Sequence, residues 1–530
     1  MRDTRSIAMA IRRCLPGIFG VLVMGGIAKA QDRADLLIRG GMVVDGSGSA
    51  PRAADVAIAG DRIVFVGDAT AFRIEGRRTV DARGLIVAPG FIDTHTHTLG
   101  DLSSDDANLR RNVAYLAQGV TTVLTGNDGG GPVDVGARLT KFARDGIGTN
   151  AALFVGFGSV RSAVLGMSGA AATPAQVAQM SSMVRRAMEQ GAVGMSAGLY
   201  YAPQSFVSTE EVIGVARAVA PYDGVYDTHL RDESSYTVGL LGAIAEALQI
   251  GRESGVAVNV SHIKALGTDV WGASDSAIAT IRAARERGQR VTADQYPYTA
   301  SGTSVGASLL PRWAEAGGRD SLRARLRDGS IRARIMSEMA ENLRRRGGAE
   351  SLLITERDSR GLAGKRLSEI AAARHADAVE VAIDIVLSGD LGVVSFNMQD
   401  DDIVRFMRAE FTMTGSDGSD GHPRKFGTFP RKYRLYVKER PVLSLAEFVH
   451  RSSQMAAVAF GLKDRGVLAK GMFADVVVFD PATFADRATY DAPERLATGV
   501  RYLLVNGQMS IDEGRVSGIL AGRALRRERD

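Results

Sequence analysis

Two histidines one residue apart, His95 and His97, close the stretch APGFIDTHTHTLGD (88–101) in a chain of 530 residues that has only seven histidines. In a strand, residues i and i+2 point to the same side, so both imidazoles can reach one cation. Other residues with ligand or acid–base chemistry each follow or end an apolar run of their own. Asp128 follows GVTTVLTG (119–126), His229 ends VYDTH (225–229), His262 ends VAVNVSH (256–262) and Asp417 ends EFTMTGSD (410–417). Four imidazoles and two carboxylates make a donor set suited to zinc, bound singly or as a pair, and acceptable to other divalent transition metals. Such an ion lowers the pKa of a bound water from near 16 toward about 7, and a neighbouring carboxylate, here Asp417, can carry that water's proton to a leaving group.

Convergence of these residues requires a particular architecture. Eight short apolar runs recur between residues 90 and 417, separated by helical text such as PAQVAQMSSMVRRAMEQG (174–191) and ASDSAIATIRAARERG (273–288). Buried strands alternating with helices predict a parallel (β/α)8 barrel of the TIM type, whose active sites lie at the carboxyl ends of the strands, where every candidate ligand falls. The arginine-rich text of 311–368 interrupts the rhythm and predicts a helical insertion between strands 7 and 8, serving as a lid, a dimer contact or a solvated face. Alternating β-branched runs with Asp45-Gly46 and Gly60-Asp61 turns near one end, and FADVVVFD (473–480) and VRYLLVNGQMSIDEGRV (500–516) near the other, predict one small β-sandwich domain built from both ends. The expected layout is a leader (1–30), β domain (31–88 and 460–520), barrel (89–310 and 369–459), insertion (311–368) and a basic, solvated tail (521–530).

The first thirty residues read as a secretory signal peptide: arginines precede an apolar stretch that ends in Ala28-Lys29-Ala30. That stretch is short and holds Pro16 and several glycines, which speaks against a stable membrane anchor. Cleavage near Ala30 would remove Arg2, Arg5, Arg12, Arg13 and Lys29 against Asp3 alone, taking the formal charge from +5 to +1. Nucleic-acid binding then has no support in composition. The only cysteine, Cys14, leaves with the leader, so no thiol remains, which suits export to an oxidising compartment such as the periplasm. No feature specifies an oligomeric state.

The motifs GFIDTHTH, YDTHLRDE (226–233), VSHIKALG (260–267), ADQYPYTASGTS (293–304) and TGSDGSDGHPRKFGTFPR (414–431) resemble the amidohydrolase superfamily and, within it, the N-acyl-D-amino-acid deacylases (D-aminoacylases). The resemblance implies that His229 and His262 hold a tight metal and that His95 and His97 line a second position. It also implies that Asp417 is the acid/base, that Lys264 and Arg424 grip the substrate α-carboxylate, and that Tyr298, Ser304 and Tyr201 form the pocket around it. One departure is evident: the family places a ligand cysteine where this chain has Asp128, a carboxylate that can bind the same ions and, unlike a thiolate, resists oxidation. The fourth strand text, AVGMSAGLYY, offers no lysine for carbamylation, against a hydantoinase-like bridge.

The expected function is zinc-dependent hydrolysis of the amide of a small-molecule N-acyl-D-amino acid, in which metal-bound hydroxide attacks and Asp417 shuttles the proton. The nearest alternative is a dipeptidase or other amidase acting on D-residue peptides. From another class, a non-catalytic exported binding protein would keep the pocket but not the chemistry.

Overall fold

The computed structural model describes residues 34–356 and 359–527, so the leader read at 1–30 and the last three residues of the tail lie outside it. Eight strands pair in parallel in chain order: β1 (Phe91–Thr96), β2 (Val120–Thr125), β3 (Asn150–Gly156), β4 (Gly194–Gly198), β5 (Val225–His229), β6 (Ala257–Val260), β7 (Val291–Gln295) and β8 (Thr412–Thr414). Nearly all their residues are buried, as strands covered on both faces must be. The ring closes between β8 and β1 at its carboxyl end, where Asp417 N donates to His95 O (2.9 Å) and His97 N to Gly418 O (3.0 Å). These two bonds bring the proposed acid/base beside the paired histidines.

The crossover helices follow from local sequence. Pro174–Glu189 starts with Thr173 and Gln176 capping each other's backbone and with proline in the first turn, and it buries Met180, Val184, Ala187 and Met188 on one face. Among the described residues, no helix is long and apolar enough to cross a membrane.

Both chain ends contribute to one nine-stranded sheet, joined where Ile86–Pro89 pairs antiparallel with Val476–Phe479. The two-residue period of a strand lets this second segment serve two cores: Val476 and Val478 pack inside the small domain, while Val477 and Phe479 pack against the barrel. A buried polar knot ties the two units. Asp475 pairs with Arg465, accepts from Asn506 N (2.8 Å) and accepts from Asn150 Nδ2 of β3 (3.1 Å). Asp475→Ala strands a buried guanidinium, so urea denaturation should show a loss of about 3–5 kcal/mol. A loss below about 1 kcal/mol, the range of an exposed pair, would mean the knot is not what holds the domains.

The insertion between β7 and β8 is broader than 311–368 and is not purely helical. Its separate hydrophobic core runs from Val305 to Val393, and it carries a three-stranded antiparallel sheet of Ser301–Ser304, Leu352–Ile354 and Gly392–Ser395. Strands of three or four residues give no measurable period, whereas the helix Gly329–Arg345 declares itself by Ile335, Met339 and Leu343 at four-residue spacing. The tail is also not a solvated end. Gly522 and Ala524 bridge to Ile147 and Ala151, and Arg527 donates to Tyr222 O (3.0 Å) and Phe460 O (3.0 Å). Among its described arginines, Arg526 also donates to a backbone carbonyl, that of Gln190 (2.5 Å), and Arg523 pairs with Asp61 (2.7 Å).

Candidate metal centre and active site

Ligand atoms of His95, Asp128, His262 and Asp417 all lie within 4.8 Å of one another at the mouth of the barrel. Asp128 Oδ1 is 3.4 Å from His95 Nε2 and 3.5 Å from His262 Nε2. His229 Nδ1 is 2.9 Å from His262 Nε2, and His97 Nε2 is 3.0 Å from Asp417 Oδ1 and 3.6 Å from Asp128 Oδ2. Six side chains from five strand ends therefore gather at one rim: four form the central group, His229 joins it through His262, and His97 joins it through Asp417 and Asp128.

Three of them sit on left-handed backbone: Asp128 at φ 55°, His262 at φ 35° and Asp417 at φ 49°. Asp and His tolerate this region better than most residues, and such strain is held where the surroundings over-determine it. At His262 the restraint is visible. Its N–H donates to Asp294 Oδ1 (2.8 Å), and Asn259 Nδ2 links Asp294 (2.7 Å) to Asp227 (2.8 Å), a carboxylate that also accepts from Asn127 (3.0 Å). Burial raises Asp93 to about 7 and pushes Asp227 upward as well. These acids form the hydrogen-bonded floor beneath the ligands. They share the strand parity of the histidines, as Asp93 precedes His95 and Asp227 precedes His229 by two residues, and that spacing was the signal for them.

The centre calls for a cation. Burial is the largest influence on His95 and opposes its charged form, yet the carboxylates of Asp128 and Asp417 together raise its pKa to about 10. Both ring nitrogens of His95, and Asp128 Oδ1, are buried without a hydrogen-bond partner. Buried polar atoms left in this state are expected where an ion completes the site. His229 is held neutral, its pKa lowered by burial to about 4, which is the form that binds a metal. The donor set fits a divalent metal ion.

A cavity of about 370 Å³ opens over this centre. An amidohydrolase family model matches residues 78–511. A D-aminoacylase of Alcaligenes xylosoxydans xylosoxydans is 35% identical over 522 residues, covering 93% of this chain and 98% of the relative. The chain belongs to the amidohydrolase family. Within it, it groups with the N-acyl-D-amino-acid deacylases: an N-acyl-D-glutamate deacylase of the same organism is 34% identical, covering 94% of this chain and 98% of that one. Among solved structures, a D-aminoacylase with a binuclear metal centre aligns at TM-score 0.79 and 33% identity, covering 93% of this chain and all of that one. The N-acyl-D-glutamate deacylase of Bordetella bronchiseptica, complexed with zinc and a phosphonate mimic of the tetrahedral intermediate, aligns at 0.80 and 32% with the same coverage.

In this amidohydrolase the cavity wall contains Lys264, Arg424 and Tyr201 as expected. Arg424 Nη1 lies 2.6 Å from Asp417 Oδ2; burial works against the Asp417 carboxylate, but the guanidinium and the nearby imidazoles hold it well below the usual range and so ionised. Two pocket assignments need correction. Ser304 caps the helix Val305–Leu309 by accepting from Ala307 N (3.1 Å) and does not line the cavity, which Ser301 and Thr303 do. Tyr298 is packed behind it, with its hydroxyl on Pro423 O (3.3 Å) and its ring 5.4 Å from His422. Tyr296 takes the lining position, with Arg424 over its ring at 4.7 Å. β7 ends at Gln295 and the chain turns at Pro297, so strand parity no longer says which tyrosine faces inward.

Glu233 was missed. Its Oε1 is 3.2 Å from His262 Nδ1 and 2.5 Å from Lys264 Nζ, and its Oε2 is 3.8 Å from His229 Nε2. Burial opposes its charge, and Lys264 with the two histidines keeps it ionised well below the usual range. The carboxylate thus stands behind His262, whose Nδ1 it shares with Lys264 Nζ (2.6 Å), and its charge lies close to His229 without a hydrogen bond to it. It lies four residues after His229 in YDTHLRDE, and only the loop following β5 folds it back. Glu233→Gln should weaken metal affinity by about 10–100-fold, read by competition with a chelating dye; an unchanged affinity would leave Glu233 only as a partner of Lys264.

Proposed function

We propose that this protein is an exported, zinc-dependent deacylase that hydrolyses the amide of N-acyl-D-amino acids to a carboxylate and a free D-amino acid. The observation that carries this reading is the grouping of His95, Asp128, His262 and Asp417, with His229 against His262 and His97 against Asp417, and with Lys264 and Arg424 in the same cavity. D-configuration and zinc are supported by the relatives, which are named for N-acyl-D-amino acids and one of which was obtained with zinc. Export rests on the leader-like residues 1–30 and the absence of cysteine after them.

His229, His262 and Asp128 would hold the tighter ion, and His95, His97 and Asp417 would line a second position. Bound zinc supplies an acidified water and a polarised scissile carbonyl. Asp417, ionised beside Arg424, accepts the proton of the attacking water as the C–O bond forms, then donates it to the amide nitrogen as the C–N bond breaks. Lys264 and Arg424 bind the α-carboxylate, a point charge and a planar fork that together fix the orientation of the amide. Tyr201, with its ring 4.8 Å from that of His229, walls the centre from bulk water.

Amine release from N-acetyl-D-amino acids, their L-enantiomers and D-residue dipeptides tests the reading, alongside metal analysis of the same protein. Turnover confined to the N-acetyl-D compounds with zinc present is expected. Turnover of free dipeptides instead would transfer the site to the dipeptidase reading.

A further inference from the structure

Resting on the deacylase reading, we propose that the cavity has a second anion subsite, built by Arg346 and Tyr236, so that the preferred substrate carries a carboxylate besides its α-carboxylate. Arg346 ends the helix Gly329–Arg345 of the insertion. Its neighbours face outward and are paired: Arg344 with Asp269 and Glu341, and Arg345 with Glu341. Arg346 turns inward, is 2% exposed and lines the cavity over the metal centre. Its Nε donates to Ser308 O (3.1 Å) and its Nη2 to Tyr200 Oη (3.3 Å), while Nη1 has no partner.

Among the described residues no carboxylate pairs with Arg346, whereas the other two cavity cations are paired, Arg424 with Asp417 and Lys264 with Glu233. A buried cation without a counter-ion is costly unless something supplies the charge. Beside it, the hydroxyl of Tyr236 is also buried without a partner; its ring lies 5.9 Å from the Arg346 guanidinium and 5.7 Å from the ring of Tyr200. The nearby acid, Asp232, is already committed to the backbone N–H groups of Ser234, Thr237 and Gly239. Two orphaned donors on one wall call for an acceptor, and the guanidinium calls for a charged one. The carboxylate can belong to an acidic D-amino-acid side chain or to a dicarboxylic acyl group.

The experiment compares kcat/KM of the zinc-loaded full chain for matched pairs that differ by one charge: N-acetyl-D-glutamate against N-acetyl-D-glutamine, and N-succinyl-D-leucine against N-succinamoyl-D-leucine. One acid-to-amide ratio should exceed unity by about ten- to a hundredfold, the range of a charged hydrogen bond, and which pair shows it identifies the end that carries the charge. Arg346→Met should bring that ratio near unity through KM, and Tyr236→Phe, which keeps the ring, should lower it in part even if the arginine variant does not fold. Ratios near or below unity for both pairs in the wild type, or a ratio that both variants leave unmoved, would overturn the subsite; in the second case Arg346 merely ties the insertion to the barrel. Failure to hydrolyse any of the four compounds would instead refute the deacylase reading.

Discussion

Asp417→Asn should lower kcat by about a hundred- to ten-thousandfold while leaving the protein folded and able to bind substrate. Asparagine keeps the volume of the side chain and can still face Arg424, but it cannot accept the proton of an attacking water. Asp417 is 6% exposed and held ionised by its guanidinium partner, so in the wild type the base form is present across the neutral range. The check is paired: steady-state kinetics on an N-acetyl-D-amino acid, and calorimetric binding of the same compound to the variant. Retained kcat would remove Asp417 from the proton path. Lost metal with lost kcat would assign it to holding the ion, as its 3.0 Å approach to His97 allows, rather than to proton transfer.

Asp128→Ala should abolish the tight metal site. Changes behind a ligand already cost about 10–100-fold in affinity, and if Asp128 holds the ion with His229 and His262, as proposed above, removing it costs more. Metal content after dialysis should fall together with activity. Asp128→Cys should restore metal binding but lower thermal stability by an amount on the order of 1 kcal/mol, because the position lies at φ 55°, where aspartate is better tolerated than cysteine. Should Asp128→Ala retain wild-type metal and activity, Asp128 is a turn residue and the 3.4–3.6 Å approaches to its histidines are incidental.

Much of this centre is legible in the chain. His95 and His97 announce themselves by a two-residue spacing, and His229, His262 and Asp417 by standing at the ends of apolar runs that alternate with helical text. The run-and-helix rhythm is strong because a strand covered on both faces must be apolar along its length and a crossover helix must be amphipathic. Local composition therefore carries those elements, and each of the eight runs corresponds to a barrel strand. Asp128 was legible too, as the residue standing where a family ligand is expected.

Other features are invisible at that level. Glu233 is an ordinary acid in a loop until the backbone after β5 returns it behind His262 and close to His229. Arg346 is one of three consecutive arginines, and nothing in RRR says that two will pair with surface acids while the third is buried. Tyr296 and Tyr298 read alike in YPY, and the turn at Pro297 alone sends one into the cavity and the other behind it. The basic tail looks solvated until Arg526 and Arg527 are seen to meet backbone carbonyls of the barrel.

The amino-acid sequence by itself determined the barrel strands, the longer helices, the ligand types and the end of the barrel where they gather, because these depend on periodicity and on chemistry within a few residues. Tertiary structure alone decided which charges are neutralised and which are left for a ligand. That depends on distances between segments far apart in the chain, where the dielectric is low and a single partner at 3 Å changes the role of a residue.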